Sequence, residues 1–201
     1  MEILQRKYSL FLLLLFFLLL ALCCGCTPRS MIATPYIDNE LKPKAVRTVY
    51  EFKPVNLQAG SRCLAATTVN VVNVEKNNQD TIIFENFHTI CTVKPKILSQ
   101  MVADYMKEAL QFSHIKVDQT SSRKILLSLP KTEMFNASSM VSSKGGTAQL
   151  KVEIPEIEFS KVYNAEEWTG KSAFAALAYA LHKTVWECIN DPEVQAYLQC
   201  R

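Results

Sequence analysis

Apolar residues alternate along several short segments of the chain and recur with helical spacing in two longer ones. Residues 64–74 and 81–93 are rich in Val, Ile, Thr and Phe, the residue types favoured in strands. A polar Asn-Asn-Gln-Asp cluster separates them and is typical of a turn. We therefore expect the two segments to pair as a β-hairpin. A short strand is also predicted at 46–55.

Two longer segments carry helical periodicity. Between 95 and 112 apolar residues recur three and four positions apart, and Pro95 occupies the first turn, where a missing N–H costs nothing. A second helix is predicted from Ser172, a favourable cap, to 189. Its many alanines would let it approach a sheet closely. Asp191 and Pro192 predict a last short helix.

The remaining β-prone segments complete the predicted fold. Strands are expected at 115–117, at 122–129 ending before Pro130, and from 148 to Tyr163. The apolar parity shifts after Pro155, which predicts a bulge or an open edge there. Runs of strands interrupted by two helices indicate an α+β fold, a mostly antiparallel sheet with both helices packed on one face.

The chain begins with the layout of an export signal. Two basic residues precede an uncharged apolar run at 9–22, and the sequence Cys-Cys-Gly-Cys follows at 23–26. We assign residues 1–25 to a signal peptide, 26–45 to a proline-bearing membrane tether, and 46–201 to a single domain. A signal anchor is the alternative for the leader, because the apolar run can be extended to Gly25.

Composition narrows the classes of function. The 201 residues are 49% hydrophobic and 20% charged, which is ordinary for a globular protein. A net charge of +3 does not indicate a nucleic-acid partner. The sequence contains no phosphate-binding glycine loop, no nucleophile-elbow motif and no zinc-protease motif. We therefore predict a protein that is not an enzyme and that uses no cofactor and no metal.

The end of the leader resembles a bacterial lipoprotein signal peptide, with Gly25 directly before Cys26. The resemblance implies cleavage before Cys26 and a diacylglycerol on its thiol, with Cys23 and Cys24 as alternative acceptors. In that family, Thr27 after the acylated cysteine implies an outer-membrane location. The protein would then be held at the membrane by its lipid, facing the periplasm.

Four cysteines follow the leader, namely Cys63, Cys91, Cys188 and Cys200. An even number in an exported domain suggests two disulfides, for which three connectivities exist. Spacing favours Cys63 with Cys91, across the predicted hairpin, and Cys188 with Cys200. Metal ligation is the alternative, but the cysteines and histidines lack the spacing of known metal motifs.

The mature sequence resembles the ABC-type transport auxiliary lipoproteins. A Tyr-Glu-Phe-Lys-Pro segment at 50–54 stands where that family carries Tyr-x-Leu-x-Pro, with Phe52 replacing the leucine. The order of strands and helices after it is similar, and YajG-type and lipopolysaccharide-assembly lipoproteins share this order. The resemblance implies a non-enzymatic accessory subunit that binds an envelope transport complex.

Two other classes of function stay open. One is an assembly or surface-maintenance lipoprotein that binds an outer-membrane protein or a glycolipid. The other is a eukaryotic or viral secreted domain held by a signal anchor. The candidate contact surface comprises Tyr179, Lys183 and Trp186, which lie on one side of the second helix. Core packing is the alternative role for its aromatics, and the sheet edge after Pro155 is the second candidate surface.

Overall fold

A computed structural model of the chain describes residues 29–41, 68–86, 88–136 and 143–199. These ranges contain strands and helices in one α+β fold, as the sequence predicts. In chain order the elements are β1 (Arg29–Ile32), α1 (Thr34–Leu41), β2 (Thr68–Asn73), β3 (Thr81–Glu85), β4 (Thr89–Val93), α2 (Pro95–Phe112), β5 (Lys116–Val117), β6 (Lys124–Asn136), β7 (Lys144–Ile154), a 3-10 turn (Pro155–Ile157), β8 (Phe159–Thr169), α3 (Ala173–Ile189) and α4 (Pro192–Leu198).

The strands form two sheets where the sequence predicted one, and most of their pairing is antiparallel, as predicted, with some parallel pairs. The larger sheet has the order β5-β2-β6-β7-β8, and the smaller has the order β1-β4-β3. Strand β2 runs parallel to both β5 and β6, and β1 runs parallel to β4. The crossover through α2 explains the β2–β5 pair, because a helix returns the chain to the start of a parallel neighbour.

The predicted hairpin between 64–74 and 81–93 is wrong. The second segment makes a hairpin by itself, with β3 antiparallel to β4, while β2 joins the other sheet. The side-chain oxygen of Asn86 accepts hydrogen bonds from the backbone N–H groups of His88 and Thr89 at 2.9 and 2.7 Å. This local bonding reverses the chain inside a segment whose composition is that of one continuous strand.

Two prolines have roles that the sequence pattern did not predict. Pro130 does not end its strand, because β6 continues to Asn136 with a register shift between Ser128 and Lys131. Pairing of β6 with β2 ends at Leu127, so the proline lies where β6 has one neighbour. Pro155 begins a 3-10 turn that separates β7 from β8, and 148–163 is therefore two antiparallel strands.

The three predicted helices are confirmed with their start signals. Pro95 is the first residue of α2, and the Ser172 hydroxyl accepts the backbone N–H of Ala175 at 3.0 Å as the cap of α3. Asp191 caps α4 through the N–H of Glu193. Helices α2 and α3 both pack on the large sheet and against each other.

Small residues set the distance between α3 and the sheet. Ala175, Ala176, Ala178 and Ala180 of α3 are fully buried. A Cβ atom built on Gly146 of β7 would lie 2.4 Å from the backbone nitrogen of Leu177. Only glycine fits at that position, because the helix backbone occupies the space of a side chain.

The range assigned to the membrane tether contains folded structure from residue 29 to residue 41. Strand β1 pairs with β4 over four residues. Ala33, Ile37 and Leu41 are buried in the core, and α1 packs against α3 and α2. This part of 26–45 belongs to the domain and is not a spacer, because its apolar residues recur every four positions on one helix face.

Candidate partner-binding site

Strand β8 lies at one edge of the large sheet and is the feature best suited to bind another protein. It pairs with β7 over eleven consecutive residues, from Phe159 opposite Ile154 to Thr169 opposite Lys144, without a bulge. Among the described strands, none pairs with its other side. A long, regular edge of this kind presents backbone groups in register for an added strand.

The helix-facing side of β8 is fixed by two ion pairs. Lys161 Nζ lies 2.7 Å from Asp191 Oδ2, at the start of α4, and Lys183 Nζ of α3 lies 3.0 Å from Glu167 Oε1. Phe159, Tyr163 and other residues of this side are buried in the core. The strand is therefore tied to α4 near its start and to α3 near its end.

The pKa shifts of Asp191, Lys161 and Lys183 are those expected for groups in ion pairs. Burial alone would raise the pKa of Asp191, but the hydrogen bonds from Lys161 and from the N–H of Glu193 outweigh it and lower that pKa. The hydrogen bond to Asp191 raises the pKa of Lys161, and the hydrogen bond to Glu167 raises the pKa of Lys183. Lys161, Lys183 and Asp191 are therefore charged at neutral pH.

The outer side of β8 carries an aromatic cluster that sequence reasoning missed. Trp168 is 47% exposed and meets the ring of Phe135 edge to face, with 4.9 Å between centroids. A Cβ atom on Gly145, which lies between them in the sheet, would clash with the Phe135 ring at 2.2 Å. The indole N–H of Trp168 donates to Glu166 at 2.8 Å. The sequence signal that could have predicted this outer side is the spacing of Val162, Asn164, Glu166 and Trp168 at every second position.

The three contact residues predicted on α3 do not form one exposed surface. Tyr179 is 5% exposed, and its hydroxyl accepts a hydrogen bond from Lys171 at 3.1 Å. Lys183 is engaged by Glu167, as described above. Trp186 is 38% exposed. Of the two aromatic residues in this predicted surface, only Trp186 is exposed, since Tyr179 is buried.

The predicted disulfides receive no support from the structure. Cys91 and Cys188 are buried free thiols, and burial raises the pKa of each. Their predicted partners, Cys63 and Cys200, lie outside the described residues, as does the predicted lipid attachment site Cys26. The hairpin that would have brought Cys63 towards Cys91 does not form, because β2 belongs to the other sheet.

An open cleft of about 330 Å³ lies beside the start of α2. It is lined by Asn73, Asn78, Lys96, Ile97, Gln100 and Met101. The first amides of the helix are already bonded, with Lys96 N–H donating to Asn77 and both Ile97 and Leu98 donating to Lys94. The cleft therefore has no unpaired helix amides with which to bind an anion.

The described part of the chain contains neither a cluster of metal ligands nor a membrane-spanning helix. No three His, Cys, Asp or Glu side chains come together there as a group that could hold a metal ion. In the same residues, none of the helices combines the length and the apolar character needed to span a bilayer.

Comparison with known proteins yields a structural likeness alone. No protein-family model matches the chain, and no curated protein matches its sequence. Among solved structures, it is similar to the crystal structure of protein XCC0632 from Xanthomonas campestris, of family DUF330. The two share 11% identity with a TM-score of 0.46, over 67% of this chain and 87% of that one.

Proposed function

We propose that this chain is a lipid-anchored protein of the bacterial cell envelope, and that its domain works without catalysis by binding a partner protein along the free edge of β8. The leader sequence supports the membrane location through its basic, apolar and Gly-Cys order. The regular eleven-residue edge strand is the observation that carries the binding role.

The edge of β8 offers both affinity and selectivity for an extended segment. Main-chain pairing would supply the affinity, as in other cases where a peptide adds a strand to a sheet. Val162, Asn164 and Trp168 on the outer side would select the side chains of the added strand, because alternate residues of neighbouring strands share one face. Val162 and Trp168 are both exposed apolar residues.

An ABC-type transport complex is the partner class that we favour. This choice rests on the resemblance of the sequence to the transport auxiliary lipoproteins, with the Tyr-Glu-Phe-Lys-Pro segment at 50–54. Assembly or maintenance of the outer membrane is the competing role, and the identity of the protein bound at β8 distinguishes the two.

Photo-crosslinking in cells tests the edge directly. A photoreactive residue replacing Asn164 should give one discrete adduct with an envelope protein, because Asn164 lies on the edge strand. The matched control replaces Gln149, the direct partner of Asn164 on β7, which lies one strand further into the sheet on the same face. Adducts from both positions, or from neither, would contradict docking at the edge.

The identity of the adduct decides the role. A permease or another subunit of a transport complex supports the transport proposal, and an outer-membrane protein supports the assembly role. Mass spectrometry of the membrane fraction tests the anchor separately, since it should find Cys26 as an acylated N-terminus. An unmodified N-terminus on a soluble product would refute the lipid anchor.

A further inference from the structure

An exposed apolar patch lies where the chain enters the domain. We define the entry patch as Ile32 at the end of β1, Tyr36 in the first turn of α1, and the half-buried Phe174 in the first turn of α3. Ile32 is 62% exposed and Tyr36 is 49% exposed. The rings of Tyr36 and Phe174 stack, with 5.0 Å between centroids and an angle of 18° between planes.

The entry patch is held in a fixed orientation by the core beneath it. Ile37 and Leu41 lie on another side of α1 and are buried, as is Ala33 directly before the helix. Rotating the helix to hide Tyr36 would expose these apolar side chains to water, which is unfavourable. The exposed position of the patch is therefore a consequence of the packing of α1.

Chain length places this patch close to the predicted membrane attachment. Cys26 precedes Arg29, the first residue of β1, by three residues. Three residues span at most about 10 Å when fully extended, and the four residues of β1 add about 13 Å. The patch thus begins within about 25 Å of the anchor, whether the anchor is an acylated cysteine or the apolar leader itself.

We infer that the entry patch rests on the surface of the phospholipid bilayer. This inference depends on the membrane anchoring proposed above. Tyrosine is suited to the membrane–water interface because its ring is apolar and its hydroxyl is polar. Ile32 would enter the acyl boundary beside it, and the exposed side chains of Arg29 and Lys171 flank the patch in sequence and suit the phosphate groups of lipids.

Contact with the bilayer would give the lipid anchor a second point of attachment. It would also fix the orientation of the domain. Thr169, which leads into α3 and the entry patch, lies at one end of the β7–β8 pair, and the turn at Ile157 lies at the other end. That turn would therefore point away from the membrane.

The test uses the full chain in growing cells, with a photoreactive residue replacing Tyr36 in one variant and Ile32 in a second. The control replaces Ile157, which is similarly exposed at 43%. We expect phospholipid adducts, detected by mass spectrometry, several-fold more often at both entry-patch positions than at the control. Each variant should keep the thermal melting of the parent chain in detergent.

The outcomes separate this inference from the proposed anchoring. Protein adducts in place of lipid adducts at both entry-patch positions, or equal lipid yields at all three, would overturn the inference in a chain that still fractionates with membranes. Recovery of the chain in the soluble fraction would overturn the anchoring, and this inference with it.

Discussion

Helices α2 and α3 pack on the same sheet, but they are buried to different extents. Eight of the eighteen residues of α2 are buried, and Ile97 and Phe112 remain exposed. Twelve of the seventeen residues of α3 are buried, including Tyr179 and His182. The difference arises because α3 is covered by the sheet, by α2 and by α1, whereas α2 keeps one side open to solvent.

This comparison explains why a contact surface predicted on α3 is mostly absent. Periodicity indicates which residues of a helix face a sheet, but it does not indicate which further elements cover the other sides. His182 meets the ring of Tyr105 of α2 edge to face at 4.2 Å, and α1 packs along α3. Of the three contact residues predicted on α3, only Trp186 therefore stays exposed.

The largest expected effect tests the close approach of α3 to the sheet. Gly146→Val places side-chain atoms where the backbone of Leu177 lies, and we expect a loss of about 3 kcal/mol or more of unfolding free energy. The matched control is Gly170→Ala, because a Cβ there meets nothing within 4 Å. Chemical denaturation of both variants measures the difference. A stable Gly146→Val protein would show that α3 does not lie directly on β7.

The next effect tests whether α1 covers α3. Ile37 is fully buried, so Ile37→Ala should cost about 2–5 kcal/mol of unfolding free energy. Ile97→Ala makes the same change on the exposed side of α2 and should cost less than about 1 kcal/mol. Denaturant midpoints compare the two variants. Equal midpoints would mean that residues 34–41 are a spacer, and the greater burial of α3 would then need another explanation.

The helices could be predicted from the sequence because their signals are local. Pro95, Ser172 and Asp191 each mark a helix start through the chemistry of one or two neighbours. The partner of β2 could not be predicted, since strand pairing depends on residues distant in sequence. The reversal of the chain after Pro155 could not be predicted, because it depends on Glu158 in a left-handed conformation with φ 54°. Residues other than glycine rarely adopt this conformation, so the sequence gives little indication of it.

The candidate site could be predicted only in part for the same reason. The shift in apolar parity at Pro155 correctly indicated an open sheet edge nearby. The predicted strand ended at Tyr163, so Trp168 and its contact with Phe135 were not foreseen. Phe135 lies on β6, and that strand was expected to stop before Pro130. Each error shortened a strand, because prolines and loop-like residues were taken as ends.

The smallest expected effect tests the ion pair between Lys161 of β8 and Asp191 at the start of α4. Asp191→Asn removes the ion pair with Lys161 but keeps a side chain that caps a helix well. We expect a loss of about 1 kcal/mol near neutral pH, because Lys161 is half exposed and solvent screens the pair. Lys161→Gln, which removes the same pair from the other side, should lower the unfolding free energy in the same direction.

The pH dependence of this loss follows from the lowered pKa of Asp191. A carboxyl whose pKa is lower in the folded state stabilises the fold above its ordinary value of 3.8 and loses that contribution as the pH falls through the folded value. Parent and Asp191→Asn proteins should therefore differ near neutral pH and converge in acid. Urea unfolding at a series of pH values measures this convergence. A constant difference across the series would show that Asp191 acts through the cap and not through its charge, and β8 would then be tied to α4 by packing alone.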